Sequence, residues 1–291
     1  MNQVAIERVS SDRWGEIIEI SNDIVTLHVP TTIGPRITHF GFAGDRNEFR
    51  VFADQRDEWP LLGGHRLWHA PEDDPRTYTP DTEPVEVTRL DDGVEVVGPT
   101  REETAIQKAI AVRAGNGATV DVTHKLTNRG LWPIEFAPWA LSVCKPGGTG
   151  VLPMAPQAAE DTLLPDRSLT FWPYTTPADD RIHYDDEQMY LTQDDDCDGP
   201  LKVGTTGGDG WAAYVNDGHA FRKDYAFDPD GTYPDMGCSA EAYTGSEILE
   251  LETLAPLRTV EPGETATYVE TWTLAEVDEP AAAATIEPDA V

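Results

Sequence analysis

The chain has 291 residues, of which 53 are Asp or Glu and 21 are Lys or Arg, so its formal net charge at pH 7 is −32. Nucleic-acid binding requires a cationic surface that displaces counterions from phosphates, and attraction to an anionic membrane surface requires the same sign. The charge therefore argues against both partners. With 39% hydrophobic and 9% aromatic residues, the composition is that of a globular protein with a packed core.

The acidic residues are spread along the whole chain, and Lys is rare among the cations. Like charges at this density repel each other and destabilise a compact state at ordinary ionic strength. In molar salt the Debye length falls to about 3 Å, so the repulsion is largely screened. The charge therefore indicates a protein from a salt-accumulating cell, such as a halophilic archaeon, rather than a particular partner.

The N-terminal sequence and the three cysteines indicate a cytoplasmic protein. Residues 1–14 contain neither a basic nor an apolar segment, so no secretory signal is visible, and no run approaches the roughly 18 apolar residues of a transmembrane helix. Cys144, Cys197 and Cys238 are odd in number, widely spaced and outside any Cys-x-x-Cys pair. Neither a disulfide framework nor a zinc ribbon is predicted.

Short segments rich in β-branched and aromatic residues, separated by turn signals such as Asp-Gly and Asn-Gly, predict an all-β fold with little helix. The predicted strands are Gly15–Ile20, Ile24–Val29, Arg36–Phe42, Val85–Leu90, Gly93–Val97, Thr104–Val112, Thr119–Leu126, Ile134–Cys144, Gly210–Val215, Ala220–Tyr225, Ser239–Tyr243, Ile248–Leu254 and Ala266–Leu274. So many strands without intervening helices indicate a large antiparallel sandwich. Residues 1–275 are predicted to form one domain, and residues 276–291 a flexible acidic tail.

The segment Ile248–Leu254 alternates apolar and acidic residues, so it predicts a strand with two different faces. Leu249 and Leu251 point into the core, and Glu250 and Glu252 share the other face, about 6.5–7 Å apart by strand rise. Neighbouring carboxylates repel, which raises the pKa of at least one of them in a partly buried site, and such a carboxylate suits a general base. In so acidic a chain, a solvated outer face is an equally good interpretation.

Four segments carry motifs that follow one another in the order of a known superfamily. They are residues 27–40 with Gly-Pro-Arg-Ile, residues 63–72 with Gly-Gly-His-Arg-Leu-Trp-His, residues 126–136 with Thr-Asn-Arg-Gly, and residues 249–264 with Glu-Leu-Glu-Thr-Leu. Together they resemble the galactose mutarotase-like (aldose 1-epimerase-like) superfamily over roughly residues 15–275. Within it, the chain is similar to an uncharacterised subgroup that shares Gly-Gly-His-Arg-x-Trp and Glu-x-Glu-Thr-Leu.

The resemblance implies an antiparallel β-supersandwich whose concave sheet holds a sugar, with general acid/base chemistry at the anomeric carbon and no cofactor. In mutarotases a Glu takes the proton of the anomeric hydroxyl and a His protonates the ring oxygen, so that the ring opens, C1 rotates and the ring closes again. Carried onto this sequence, Glu252 is the first candidate for the base and Glu250 the second. His65 and His69 are the candidates for the acid or for a substrate-binding histidine.

Further candidates would bind the substrate, which is expected to be a small-molecule sugar taken up by a monomer or a homodimer. Arginine forks donate to sugar hydroxyls or to a carboxylate, an indole offers a stacking face, and a retained Lys stands out in this composition. Glu241 belongs to residues 233–241, which precede the predicted strand Ile248–Leu254 and could form a pocket wall. The set is Arg36, Asn47, Arg66, Trp68, Glu72, Lys202 and Glu241.

One departure from the superfamily leaves the function open. Mutarotases usually place a second His shortly after the Thr-Asn-x-Gly strand, and residues 136–144 contain none. Either His65 or His69 acts as the acid, or the protein is not an epimerase; His124 lies on an apolar face and is interpreted as a core histidine. The alternatives are a non-catalytic carbohydrate-binding or regulatory protein on the same fold and, less favoured, a polysaccharide lyase or glycoside hydrolase.

No metal site is predicted. His65, His69 and Glu72 would share one face of a helix, as metal ligands do, but the glycines before them and Pro71 argue against a helix there. The acidic run 194–198 lacks the spacing of an EF-hand loop and is interpreted as a solvated loop.

Overall fold

The computed structural model describes residues 4–52, 61–154, 163, 165 and 167–288, and this part of the chain consists almost entirely of antiparallel strands. The strands up to residue 144 are β1 (Ala5–Ser11), β2 (Gly15–Ser21), β3 (Val25–Pro30), β4 (Arg36–Ile37), β5 (His39–Phe42), β6 (Gly64–Ala70), β7 (Glu86–Arg89), β8 (Gly93–Thr100), β9 (Ile106–Ala114), β10 (Thr119–Asn128) and β11 (Ile134–Cys144). The strands that follow are β12 (Thr149–Pro153), β13 (Leu169–Phe171), β14 (Ile182–Tyr184), β15 (Gln188–Thr192), β16 (Leu201–Thr205), β17 (Trp211–Asn216), β18 (His219–Tyr225), β19 (Ala240–Thr244), β20 (Leu249–Leu254), β21 (Arg258–Val260) and β22 (Thr265–Glu276).

The strands form three sheets. A ten-stranded sheet has the order β14-β15-β12-β17-β18-β22-β10-β9-β8-β7, and an eight-stranded sheet has the order β13-β16-β19-β20-β11-β6-β4, with β21 paired to the start of β11. A four-stranded sheet, β1-β2-β3-β5, completes the fold. The prediction of an all-β, antiparallel architecture with little helix is confirmed, since the described residues contain one short 3₁₀ helix, Pro280–Thr285. No helix in the described ranges has the length and apolar character needed to cross a membrane.

The apolar core fills the space between the two large sheets. Leu67, Leu249 and Leu251 of the eight-stranded sheet belong to the same cluster of buried residues as Val120 and Trp272 of the ten-stranded sheet. Because side chains alternate along a strand, the residues directly before and after each of these core residues lie on the opposite face of the sheet. The alternation therefore decides which side chains of β6 and β20 reach the core and which reach the outer face.

β6 was not predicted as a strand, yet it lies between β4 and β11 in the sheet. All seven of its residues are buried, so it lacks the alternation of apolar and polar residues that marks a half-buried strand. The strand starts at Gly64, which has φ +69° and whose backbone lies so close to Ile37 that a Cβ would be 2.4 Å from the Ile37 carbonyl oxygen. Only glycine fits this approach, so the Gly-Gly pair before His65 has a structural role.

The segment Arg36–Phe42 is two strands rather than the single predicted one. β4 pairs with β6 in the eight-stranded sheet, whereas β5 pairs with β3 in the four-stranded sheet. Between them, the Thr38 backbone N–H donates to the carbonyl oxygen of His28 at 2.8 Å. The chain therefore changes sheets at Thr38, and Arg36 is left on the eight-stranded sheet.

The described part of the predicted tail packs against the domain. Ala283 in the 3₁₀ helix is fully buried, and Arg222 Nη1 donates to the carbonyl oxygens of Ala283 and Ala284 at 2.9 Å each. Up to Ala284 the segment is therefore anchored to the domain, unlike the predicted flexible tail, because a buried guanidinium holds its backbone.

Candidate functional site

A pocket of about 250 Å³ lies on the face of the eight-stranded sheet that points away from the core. Alternation along the strands brings every second residue to this face. The central strands supply Arg66 and Trp68 from β6, Trp139 and Leu141 from β11, and Glu250 and Glu252 from β20. Lys202 of β16 and Tyr243 of β19 extend the lining to one side. The two glutamates, predicted to share a face, therefore lie in the same concave site.

Aromatic rings form much of the pocket wall. The rings of Trp68 and Trp139 meet edge to face with centroids 5.3 Å apart, and Tyr78 packs on Trp68 at the same distance. Tyr174 and Tyr243 form a second pair at 6.5 Å. Apolar walls with a few convergent polar groups are typical of small-molecule sites. Among these rings, the sequence predicts only Trp68 as a site residue.

Lys202 is held at the centre of a charged cluster on the pocket floor. Its Nζ lies 2.7 Å from Glu241 Oε2 and 2.8 Å from Glu252 Oε2, and within 4.7 Å of the ring centroids of Trp139 and Trp172. Burial disfavours the charged ammonium, but the two glutamates outweigh this effect and raise the pKa of Lys202 well above its usual range. The ammonium therefore stays charged.

The two glutamates of this cluster share a single cation. Glu252 Oε2 also accepts a hydrogen bond from Trp139 Nε1 at 2.8 Å, whereas Glu241 Oε1 has no hydrogen-bond partner among the described residues. Burial raises the pKa of Glu252 and raises that of Glu241 well above its usual range, while Lys202 opposes both shifts. Two buried carboxylates against one ammonium leave one negative charge uncompensated, so the cluster favours retaining a proton.

The interpretation of Glu250 and Glu252 as part of a solvated outer face is wrong, since both side chains are buried. Arg66 Nη1 donates to Glu250 Oε1 at 2.9 Å, and its guanidinium lies 4.3 Å from the centroid of the Trp68 ring. Lys202 likewise forms an ion pair with Glu252 and lies over it. Strands that are distant in sequence therefore cover this face of β20.

Arg36 lies beside Arg66, its register partner across β4 and β6. Its side chain is buried, and Nη1 donates to the carbonyl oxygen of Gly63 at 2.5 Å. No carboxylate among the described residues forms an ion pair with it, as the neighbouring Asp81 pairs with Lys108 at 3.0 Å. Burial lowers the pKa of Arg36 to about 10, against the opposing charge of Asp81.

His65 and His69 point to the other side of β6 and do not line the pocket. His65 Nδ1 lies 2.8 Å from Ser142 Oγ, and its Nε2 lies 2.7 Å from the Nε2 of His124. The sequence predicts one of the two histidines as the acid at the sugar, but Arg66 and Trp68 take the pocket face of β6 and alternation turns the histidines into the core. The interpretation of His124 as a core histidine agrees with its full burial.

The histidines form a neutral hydrogen-bond chain between the sheets. His124 Nδ1 donates to the carbonyl oxygen of Tyr268 at 3.2 Å, so its Nε2 is the acceptor for His65 Nε2–H, and His65 Nδ1 accepts from the Ser142 hydroxyl. We assign these tautomers from the network, since every group then has a partner. Burial lowers the pKa of His124 to about 4 and that of His65 well below its usual value, so both rings are neutral near pH 7.

We expect His65→Ala to lower the free energy of unfolding by about 1–3 kcal/mol, because Ser142 and His124 lose a buried partner. Ligand binding in the pocket should be unchanged, since the ring does not reach the pocket. Urea denaturation and ligand titration of the same preparation measure the two effects. Lost binding at native stability would instead place His65 in the site.

His69 is buried against Phe136, with ring centroids 6.2 Å apart, and neither ring nitrogen has a hydrogen-bond partner among the described residues. Burial lowers its pKa to about 3, so the folded protein holds it neutral, whereas an unfolded histidine titrates near pH 6.5. Between those values the unfolded state binds more protons, so stability falls as the pH falls from about 6.5 toward 3. We expect His69→Leu to be more stable than wild type at pH 4.5 and to lose less stability between pH 7 and 4.5. Parallel curves from urea denaturation at both pH values would contradict this.

One cluster has the residue types of a metal site: His65, His124 and Glu270 offer ligand atoms within 4.8 Å of one another. The two ring nitrogens already bond to each other, and Glu270 Oε2 accepts from Trp272 Nε1 at 2.7 Å. The ammonium of Lys223 lies 3.5 Å from Glu270 Oε1 and supplies the positive charge that a metal ion would. The cluster therefore fits a structural network rather than a metal centre.

The remaining candidates divide between the pocket and the scaffold. Glu72 lines the pocket rim and accepts a hydrogen bond from the Tyr78 hydroxyl. Asn47 lies outside the pocket, where Oδ1 accepts from the backbone N–H groups of Phe40 at 3.1 Å and Phe49 at 3.0 Å. The structure thus brings together Arg66, Trp68, Glu72, Lys202, Glu250 and Glu252, with Glu241 behind Lys202 and Arg36 beside Arg66.

Comparison with known proteins gives similarity in structure alone. No family model matches the chain, and no curated protein matches it. A galactose mutarotase-like protein from Lactobacillus casei superposes with a TM-score of 0.61 at 11% identity, covering 89% of this chain and 100% of that one. A candidate aldose 1-epimerase from Escherichia coli K12 gives a TM-score of 0.54 at 14% identity, covering 94% and 100%.

A galactose mutarotase related enzyme from Lactobacillus acidophilus gives a TM-score of 0.51 at 11% identity, covering 90% of this chain and 99% of that one. The coverage of both partners shows that the whole fold corresponds, not one sheet of it. The chain therefore has the galactose mutarotase-like fold, as its sequence predicts. At these identities the similarity does not extend to an activity.

Proposed function

We propose that the protein binds a sugar in the pocket and interconverts its anomers by general acid/base chemistry, as an aldose 1-epimerase does. The observation that carries the proposal is Glu252: a buried carboxylate with a raised pKa, between aromatic walls and beside a fixed ammonium. A carboxylate whose pKa is raised toward the working pH is an effective proton acceptor and donor. The galactose mutarotase-like fold of the solved structures supports a sugar as the ligand.

In the proposed reaction Glu252 takes the proton of the anomeric hydroxyl, the C1–O5 bond breaks, and C1 becomes a carbonyl carbon. Lys202 and the Trp139 N–H hold Oε2 of Glu252, which directs the base. Because His65 and His69 lie in the core, a water molecule in the pocket gives a proton to O5 and takes the proton held by Glu252, which restores both the water and the carboxylate. Rotation about C1–C2 and the reverse steps give the other anomer, so no atom is gained or lost.

A second candidate is a non-catalytic carbohydrate-binding or regulatory protein. It is favoured by the position of His65 and His69, which leaves the pocket without a histidine among the described residues. The aromatic walls and the polar floor would hold a sugar equally well without turnover. Among the described pocket residues, no contact specifically favours a lyase or a hydrolase.

Saturation-transfer NMR on a panel of reducing sugars tests the two candidates. Each sugar is measured alone, with the protein, and with heat-denatured protein, at several KCl concentrations. Protein-dependent exchange between the α and β anomeric protons is the expected result. Saturable binding without exchange would overturn the epimerase and leave the binding protein, and no binding of any sugar would overturn both.

A further inference from the structure

The two ends of the pocket floor carry opposite charge imbalances. At the end near β16, Lys202 faces the two carboxylates Glu241 and Glu252, an excess of one acidic group that favours a retained proton. At the end near β4, Arg36 and Arg66 face one carboxylate, Glu250, which leaves one positive charge in excess. Each imbalance is buried, where solvent screens it little.

Arg36 carries the positive excess. Its side chain is 3% exposed, its one hydrogen bond in the described structure goes to the Gly63 backbone, and its Nε has no partner there. The charge of Asp81 acts on Arg36 from nearby, but both carboxylate oxygens of Asp81 bond to Lys108 at 3.0 and 3.1 Å, so Asp81 forms no ion pair with Arg36. A buried cation without a counter-charge is strongly destabilising unless an anion completes it.

A small side cavity lies beside this cation and next to the main pocket. Arg36 and Asp81 line it, and Leu61, Arg66 and Trp68 line both the side cavity and the main pocket. The Nε of Arg66 is also buried and has no hydrogen-bond partner among the described residues. Two guanidinium groups with unused donors therefore border the side cavity, and Arg66 borders the sugar pocket as well.

We propose, on the basis of the function proposed above, that the substrate is a sugar acid whose carboxylate binds between Arg36 and Arg66 while its anomeric carbon lies at Glu252. A guanidinium fork matches a planar carboxylate in geometry and charge. Glu250, which Arg66 binds, and Glu252 are two residues apart on β20, or about 6.5–7 Å by strand rise. A pyranose whose anomeric hydroxyl contacts Glu252 extends about this far to a carboxylate on C5, which brings that carboxylate to the Arg66 end of the pocket, and the narrow side cavity favours a carboxylate over a bulkier phosphate.

Isothermal titration with matched sugars tests the assignment. Glucose, glucuronate and glucose 6-phosphate are compared with galactose, galacturonate and galactose 6-phosphate at fixed ionic strength. The proteins are wild type, Arg36→Gln, Arg36→Lys and, as control, Arg113→Gln, which removes an exposed arginine of β9. In one of the two series we expect the uronate to bind wild type about tenfold more tightly than its neutral sugar. Arg36→Gln should bring this ratio close to one, Arg36→Lys should retain part of it, and the control should keep it.

Each other outcome has a distinct meaning. Neutral sugars that bind wild type as tightly as the uronates would overturn the sugar-acid assignment and leave the proposed function standing. Tighter binding of the sugar 6-phosphates would show that Arg36 binds a phosphate group, and it would overturn the assignment of a carboxylate. A uronate preference that survives in a folded Arg36→Gln would place the anion elsewhere. If that variant does not fold, the wild-type ratio and Arg36→Lys still decide. Failure of every sugar to bind would overturn the proposed function itself.

Discussion

Glu252→Gln is expected to slow protein-dependent anomer exchange by about 100-fold or more, because a neutral amide cannot take the proton of the anomeric hydroxyl. Sugar affinity should change much less, since the amide keeps the shape of the carboxylate and its contact with Trp139. Saturation-transfer NMR measures the exchange rate, and titration of the same sugar measures the affinity. Glu261→Gln is the matched control, as it makes the same chemical change at an exposed turn.

Glu250→Gln separates the two glutamates of β20. Arg66 already neutralises Glu250 through an ion pair at 2.9 Å, so its loss should weaken binding more than it slows exchange. The reverse pattern, with exchange lost in Glu250→Gln and retained in Glu252→Gln, would make Glu250 the base. Exchange that survives in both variants would contradict a carboxylate base on this strand.

Glu270→Leu is expected to reduce the free energy of unfolding by roughly 3–5 kcal/mol, because it leaves the ammonium of Lys223 buried without its counter-charge. Both side chains are fully buried, and the other hydrogen bonds of the Lys223 ammonium in the described structure go to the carbonyl oxygens of Ala140 at 3.2 Å and Leu251 at 3.4 Å. Glu270 also accepts hydrogen bonds from Thr253 and Trp272. Urea denaturation monitored by tryptophan fluorescence measures the change.

The double variant Glu270→Leu/Lys223→Met should recover much of that stability, because replacing both members of a buried pair removes both desolvation costs. Asp92→Asn is the control for an exposed pair with Arg113, and we expect it to cost about 1 kcal/mol or less. Equal losses for Glu270→Leu and Asp92→Asn would contradict a structural role for the buried network.

The architecture followed from the sequence where strands alternate apolar and polar residues. β10 and β20 show the alternation that one apolar face imposes, and Leu249 and Leu251 lie in the core as predicted. β6 and β16 were not predicted, because both are buried on each face and β6 carries Arg, His and Trp at successive positions. Strands of this kind owe their burial to partners that are distant in the chain, which local patterns do not reveal.

Part of the candidate site could also be predicted from the alternation of residues in the sequence. The alternation of β20 placed Glu250 and Glu252 together, and the rarity of Lys drew attention to Lys202. Without β6 as a strand, the sequence could not separate the face of Arg66 and Trp68 from the face of His65. The pocket position of Trp139 could have been predicted, since Ile134–Cys144 was predicted with its observed bounds and alternation places Trp139 on the face opposite the core. The salt-accumulating habitat, the cytoplasmic location and the oligomeric state stay predictions.

A crystal structure with a bound sugar tests the central claim most directly, because that claim is a contact between Glu252 and the anomeric centre. The account predicts a single sugar ring against Trp139 and Trp68, with the anomeric oxygen within hydrogen-bond distance of the Glu252 carboxylate. A sugar bound in this pocket with C1 directed away from both glutamates, or bound on another face of the protein, would contradict it.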